Sequence, residues 1–110
     1  MNEDGADPTA ETPDHLGHRA RLRERFLKGG GDALSDYELI ELLLFAAQPR
    51  RDMKPLAKRL IRQFGSFAGV ISAPAEALAS IEGTRAAAVP APPITQAAAL
   101  RLAQNEVLDR

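Results

Sequence analysis

The side chains best placed to do chemistry in this sequence are basic ones. Lys54, Lys58 and Arg62 recur at i, i+4 and i+8, so on a helix they form one cationic stripe opposite Leu56, Leu60 and Ile61, flanked by Arg51 and Arg59. Arg21, Arg25 and Lys28 share an outward face of an earlier helix, where Glu24 is the one carboxylate close in sequence. Two such helices can offer a track of cations to nucleic-acid phosphates. The competing reading is a wet helix face whose charges keep a small domain dispersed in water. Base readout has no support, because aromatic residues make up 5% of the chain and Tyr37 sits at a helix start rather than in a stacking platform.

Other chemistry is poorly supplied. His15 and His18, at i and i+3, can face one metal ion with Asp14, but structural zinc usually takes four ligands and the chain has no cysteine. No metal and no cofactor are expected. No Ser, His and Asp set stands out, so no catalytic residue is assigned, the chain is not expected to be an enzyme, and no small-molecule substrate is evident. Arg19 and Arg23 fall within the arc of Leu16, Phe26 and Leu27. They are expected to point inward as structural cations, toward Asp36, Glu38 or Glu41.

The charge is unevenly spread. The net charge is −1, yet residues 1–14 hold five acids and no Lys or Arg, while residues 15–63 hold eleven Lys or Arg against six Asp or Glu. An acidic tail masks a basic body, and an anionic partner is expected to dock on that body. With Gly5, Pro8 and Pro13 and few apolar side chains, residues 1–14 are expected to be disordered. The remainder, residues 15–110, is long enough for one core. The acidic start does not resemble a secretory signal, and the longest apolar run, residues 42–47, falls far short of the roughly 20 residues of a membrane helix. Together with the missing cysteines this implies a soluble, cytoplasmic protein with no membrane partner.

Helical periodicity dominates, and no alternating strand pattern occurs. A first helix runs from His15, with Leu16, Ala20, Leu22, Phe26 and Leu27 on one arc, to a stop at Gly29-Gly30-Gly31. Ser35 and Glu38 form a capping box before a second helix, apolar on most sides through residues 39–47 and therefore central. Asp52 can cap a third helix that carries Pro55 in its first turn and Leu56, Leu60, Ile61 and Phe64 on its buried face, and Gly65 fits its stop. Ser66 caps a short helix through about Ser72, and Pro74 opens another containing Leu78, which leads to a turn at Gly83-Thr84. Pro90, Pro92 and Pro93 are expected to interrupt helix, with Thr95 capping a last one. The fold class is all-α: a compact bundle of five or six short helices, with a degenerate helix-hairpin-helix in the C-terminal half. The last helix carries no Gly or Pro stop, which suggests a longer natural chain.

Leu34-Ser35-Asp36-Tyr37-Glu38-Leu39-Ile40 resembles the LSDxELL segment of the RadC family. The resemblance continues through Pro55-Leu56-Ala57-Lys58-Arg59-Leu60-Ile61, Phe64-Gly65-Ser66-Phe67 and Ala77-Leu78-Ala79-Ser80-Ile81-Glu82-Gly83. His15-Leu16-Gly17-His18-Arg19 is similar to the start of one branch of that family. The resemblance implies an N-terminal helical domain normally followed by a C-terminal domain related to the JAB/MPN metallo-hydrolases. That second domain is expected to be absent here, since no His-x-His occurs. It also implies an association with DNA repair. The family's hairpin commonly reads Gly-hydrophobic-Gly, whose backbone N–H groups can cradle a phosphate. Here Gly83-Thr84-Arg85 stands instead, so any DNA contact is expected from the side chains of the third helix. The expectation is an accessory module that binds DNA through phosphates. Its rival is a packing module, in which the last helix and the Ala-rich stretch 86–99 dock on the missing C-terminal domain.

Overall fold

Ser35 begins the helix on which most of the others pack. In the computed structural model, which describes residues 13–49 and 51–108, the Ser35 hydroxyl accepts from the Glu38 N–H at 3.2 Å and the Glu38 carboxylate accepts from the Ser35 N–H at 3.0 Å. This closed capping box starts α2 (Asp36–Ala47). α1 (Pro13–Gly29) precedes it, joined through a single 3-10 turn (Gly31–Ala33); then come α3 (Lys54–Phe64), α4 (Phe67–Ile71), α5 (Ala75–Ala79) and α6 (Ala91–Leu108). No strand occurs among the described residues, and the all-α expectation holds.

α2 is central, as its apolar sequence implies: α1, α3, α4 and α6 all pack on it. Ile40, Leu44 and Phe45 of α2 meet Leu56, Ala57 and Leu60 of α3, Val70 of α4, Leu78 of α5 and the linker residue Ala88 in one core. Each aliphatic side chain buried there contributes roughly 1.5–3 kcal/mol as an upper figure. Leu39, Leu42 and Leu43 on the outer side of α2 are only half-buried.

Most helix ends have the local causes read from the sequence. The Asp52 carboxylate accepts from the Lys54 N–H at 3.1 Å, although Met53 is the residue at the cap position. Gly65, at φ 90°, ends α3, and the Ser66 hydroxyl accepts from the Gly69 N–H at 3.0 Å to start α4. The start of α6 differs from expectation. The Pro90 carbonyl accepts from the Ile94 N–H at 2.9 Å, so Pro92 and Pro93 lie inside the first turn, where no intrahelical donor is lost. Thr95 is therefore a helix residue and not a cap: its hydroxyl donates back to the Ala91 carbonyl at 2.9 Å.

α1 also departs from its expected packing. Of the proposed arc Leu22 is buried, but Ala20 is exposed, Phe26 is 38% exposed and Leu27 81% exposed. The helix meets the bundle along Arg19 and Leu22 instead. It also starts two residues earlier than expected, at Pro13. The tail expected to be disordered, residues 1–14, ends inside this helix at Pro13 and Asp14, and its residues 1–12 lie outside the described residues.

Candidate nucleic-acid interface

α3 separates its two faces cleanly, because the spacing of its cations matches the helix period. Leu56, Ala57 and Leu60 are buried, while Lys58 and Arg62 are exposed and Lys54 half-buried. Among the described residues no ion pair reaches Lys54, Lys58 or Arg62. Arg59 is committed to the chain itself: its Nη1 donates to the Glu82 carbonyl at 3.1 Å. Gly83, at φ 95°, makes room for this brace, since a Cβ there would lie 2.9 Å from Arg59 Nη1. Arg59, Arg62, Gln63, Ser80, Ile81 and Glu82 line a polar cleft between α3 and the turn after α5. The structure thus brings Arg59 against Glu82 and Gly83, with Arg62 lining the same cleft.

The segment between α5 and α6 spends part of its backbone internally. The Thr84 N–H is spent on the Ile81 carbonyl at 3.1 Å, and its buried hydroxyl finds no partner among the described residues. In the first turn of α6, the Ala91 N–H donates to the Ala88 carbonyl at 3.2 Å, and Pro92 and Pro93 have no N–H to give. The start of α6 therefore presents no free backbone donor, in contrast to the usual anion-binding helix N-terminus. Arg85 is exposed in the linker.

On α1 the candidate cations part company. Arg21 and Lys28 are exposed. Arg25 forks onto Glu38 with bonds of 2.9 and 3.1 Å and donates to the Ala33 carbonyl at 2.9 Å, so a carboxylate distant in sequence neutralises it. The hydrogen bond from Arg25 holds the Glu38 carboxyl below its ordinary value, helped by the Ser35 N–H, and the same bond raises Arg25. Arg19 is buried as expected, but on different partners. Its guanidinium lies 4.3 Å from the centre of the Phe45 ring and donates to the Arg51 carbonyl. Arg23, expected to point inward, is exposed instead. Arg51 is half-buried, with its guanidinium donating to Gln48 Oε1 at 3.3 Å. Asp36, the other carboxylate proposed for Arg19 and Arg23, accepts from the Phe67 N–H at 2.9 Å and ties α2 to the start of α4.

One polar pair has no sequence signal. Glu41 is fully buried on α2, and His18 Nε2 of α1 lies 2.9 Å from its Oε2. The two atoms face each other without a formed hydrogen bond. Burial and the negative charge of Glu41 hold the nearby Tyr37 hydroxyl well above the ordinary phenol value. An isolated Glu in an apolar helix gives no hint of which neighbour will face it, so the sequence alone does not reveal the pair. The His15 and Asp14 side chains of the proposed metal pair lie outside the described residues. Among those described, no three His, Cys, Asp or Glu side chains gather as a ligand set. No helix is long and apolar enough to cross a membrane among the described residues.

Fold and surface together define a small all-α domain that carries a cationic helix face. The sequence places it more narrowly: it matches the family described as UPF0758 N-terminal over residues 14–89, and the chain belongs to that family. It is similar to a UPF0758 protein of Rhodobacter capsulatus, 54% identical over 89 residues, which make up 81% of this chain and 42% of that protein. It is likewise similar to a UPF0758 protein of Ruegeria pomeroyi, 50% identical over 93 residues, covering 84% of this chain and 42% of the relative. The chain thus spans less than half the length of these relatives. No solved structure matches it.

Proposed function

We propose that this chain is a non-catalytic helical module of a RadC-like cytoplasmic protein, and that it holds nucleic acid through sequence-independent phosphate contacts from the outer face of α3. The observation that carries the reading is the condition of Lys54, Lys58 and Arg62. They share one helix face, their helix buries the opposite face, and no ion pair among the described residues engages them. Such cations can displace DNA counterions without first breaking a bond, whereas Arg25 must surrender Glu38. The cleft between Arg62 and Ser80 extends the same track toward the hairpin. The resemblance to RadC proteins in the α2, α3 and hairpin segments gives the partner its class, DNA undergoing repair. Any hydrolytic chemistry belongs to a C-terminal metallo-hydrolase-like domain, for which the extra length of the relatives leaves room.

A salt titration of DNA affinity tests this. Binding should weaken linearly in log salt, and replacing Lys54, Lys58 and Arg62 together with Ala should lower affinity equally for unrelated sequences. The salt slope should flatten by up to about 0.9 for each phosphate that the variant no longer neutralises. Arg85→Ala should do less, because one linker arginine makes at most a local contact. A wild-type chain that fails to bind DNA at low salt overturns the reading. So does a triple variant that binds normally while Arg85→Ala fails.

A further inference from the structure

The outer half of α6 carries, beside Arg101, Gln104, Asn105 and Glu106, apolar side chains that no other described residue covers. Residues 97–107 are all exposed, and Leu100, Leu102 and Val107 are each more than half exposed. The inner end is different: Pro92 and the preceding linker residue Ala88 are buried in the core, so the helix is anchored at its start and bare beyond it. At roughly 100° per residue, Leu100, Ala103 and Val107 fall on one stripe, while Leu102 lies about 100–160° from its members, between Asn105 and Glu106. An apolar stripe left exposed on a helix that is anchored at its other end marks a surface that a partner covers. We propose that this outer half, residues 97–107, is the docking element for the remaining portion of the longer UPF0758 chain, which closes around it in the full-length protein.

Two observations select that occupant. The matching family is the N-terminal one, and the shared region makes up only 42% of each relative, so more than half of those chains lies outside it. A partner in the same polypeptide acts at high effective concentration and needs little intrinsic affinity. A second copy of the domain fits less well. Paired helices bury one stripe each, as in a coiled coil, and that pairing would cover Leu100, Ala103 and Val107 while leaving Leu102 in water. The surface is separate from Lys54, Lys58 and Arg62, so this inference stands whether or not the domain binds nucleic acid.

The chain has no cysteine, which makes thiol labelling a clean probe. Leu102→Cys and Val107→Cys would be compared in the 110-residue chain and in the same chain continued by the C-terminal portion of the Rhodobacter capsulatus relative. Arg62→Cys serves as the control. Continuation should slow maleimide reaction at 102 and 107 by about tenfold or more and leave position 62 unchanged. Equal rates in the two chains overturn the proposal. Protection already present in the shorter chain, rising with its concentration alongside a dimer mass in light scattering, assigns the surface to a second copy and also overturns it. Hydrogen exchange on the intact Rhodobacter capsulatus protein supplies a reading that does not depend on the joined chain folding. Amides in its counterpart of α6 should exchange at least about tenfold more slowly than those of residues 97–107 in the 110-residue chain, and equal rates there refute the inference.

Discussion

A fully buried carboxylate next to a partly buried histidine is a costly arrangement unless the two stay together. Glu41 has no formed hydrogen bond among the described residues, and His18 Nε2, 2.9 Å from its Oε2, and the Tyr37 hydroxyl are the polar groups that face it. Replacing Glu41 with Leu should therefore leave stability unchanged or raise it, whereas His18→Ala strands the carboxylate and should cost about 1–3 kcal/mol. Urea unfolding of both variants decides it, and a large loss in Glu41→Leu would show that the pair holds the α1–α2 junction. The exposed pair Arg25–Glu38 behaves differently. Because Arg25 and the Ser35 N–H depress the Glu38 carboxyl, its contribution is present above the ordinary carboxyl value and disappears as pH falls below about 4.5. Glu38→Gln should flatten the acid limb of a melting-temperature profile in that window; an unchanged limb would show that other carboxylates set it. The cations of α3 are legible in the sequence because three charges at one helical spacing need no tertiary information. The partner of Arg25 is not, since Glu38 already has a local role in the capping box and nothing in sequence points thirteen residues back.

Among the elements, those whose ends rest on local chemistry are legible and those placed by packing are not. Ser35 with Glu38, Ser66, Pro74 and Gly65 each act within four residues, so α2 to α5 have the expected ends to within a residue or so. The buried side of α1 depends on how the helix leans on α2, so Arg19 and Leu22 are buried while Phe26 and Leu27 of the expected arc are not. α6 departs from expectation for a related reason. Its prolines look like breakers in sequence, yet in a first turn a missing N–H costs nothing, and the Pro90 carbonyl already accepts the first helical bond. The junction of α3 with α4 carries a requirement that cap chemistry does not reveal. A Cβ on Gly69 would collide with the Phe64 carbonyl, a backbone atom that cannot move without unwinding the end of α3. Gly69→Ala should destabilise the domain by about 1–3 kcal/mol despite its better helix propensity. Chemical denaturation reads this directly, and a neutral or stabilised variant would mean that the α3–α4 joint relaxes freely.

At the scale of the whole molecule, two opposed charge populations share one chain, and their balance is open to test without any knowledge of how the N-terminal residues are arranged. Residues 1–12 carry Glu3, Asp4, Asp7 and Glu11 and no Lys or Arg, so deleting them moves the formal net charge from −1 to +3. The folded body holds the cations of α1 and α3, and four carboxylates tethered to it lower the potential that an approaching polyanion meets. Within a Debye length of roughly 8 Å at physiological salt, tethered acids compete for the same lysines and arginines as phosphate does. Deletion should therefore strengthen DNA binding at low salt, and the gain should shrink as salt rises, because screening weakens the repulsion it removes. The variant retaining the acids but lacking Lys54, Lys58 and Arg62 provides the comparison: there, deletion should give a smaller gain. Anisotropy titrations of a short duplex at several salt concentrations distinguish the cases. Affinity unchanged by the deletion at every salt concentration would mean that the N-terminal acids lie beyond screening distance of the basic face and do not compete with phosphate for it.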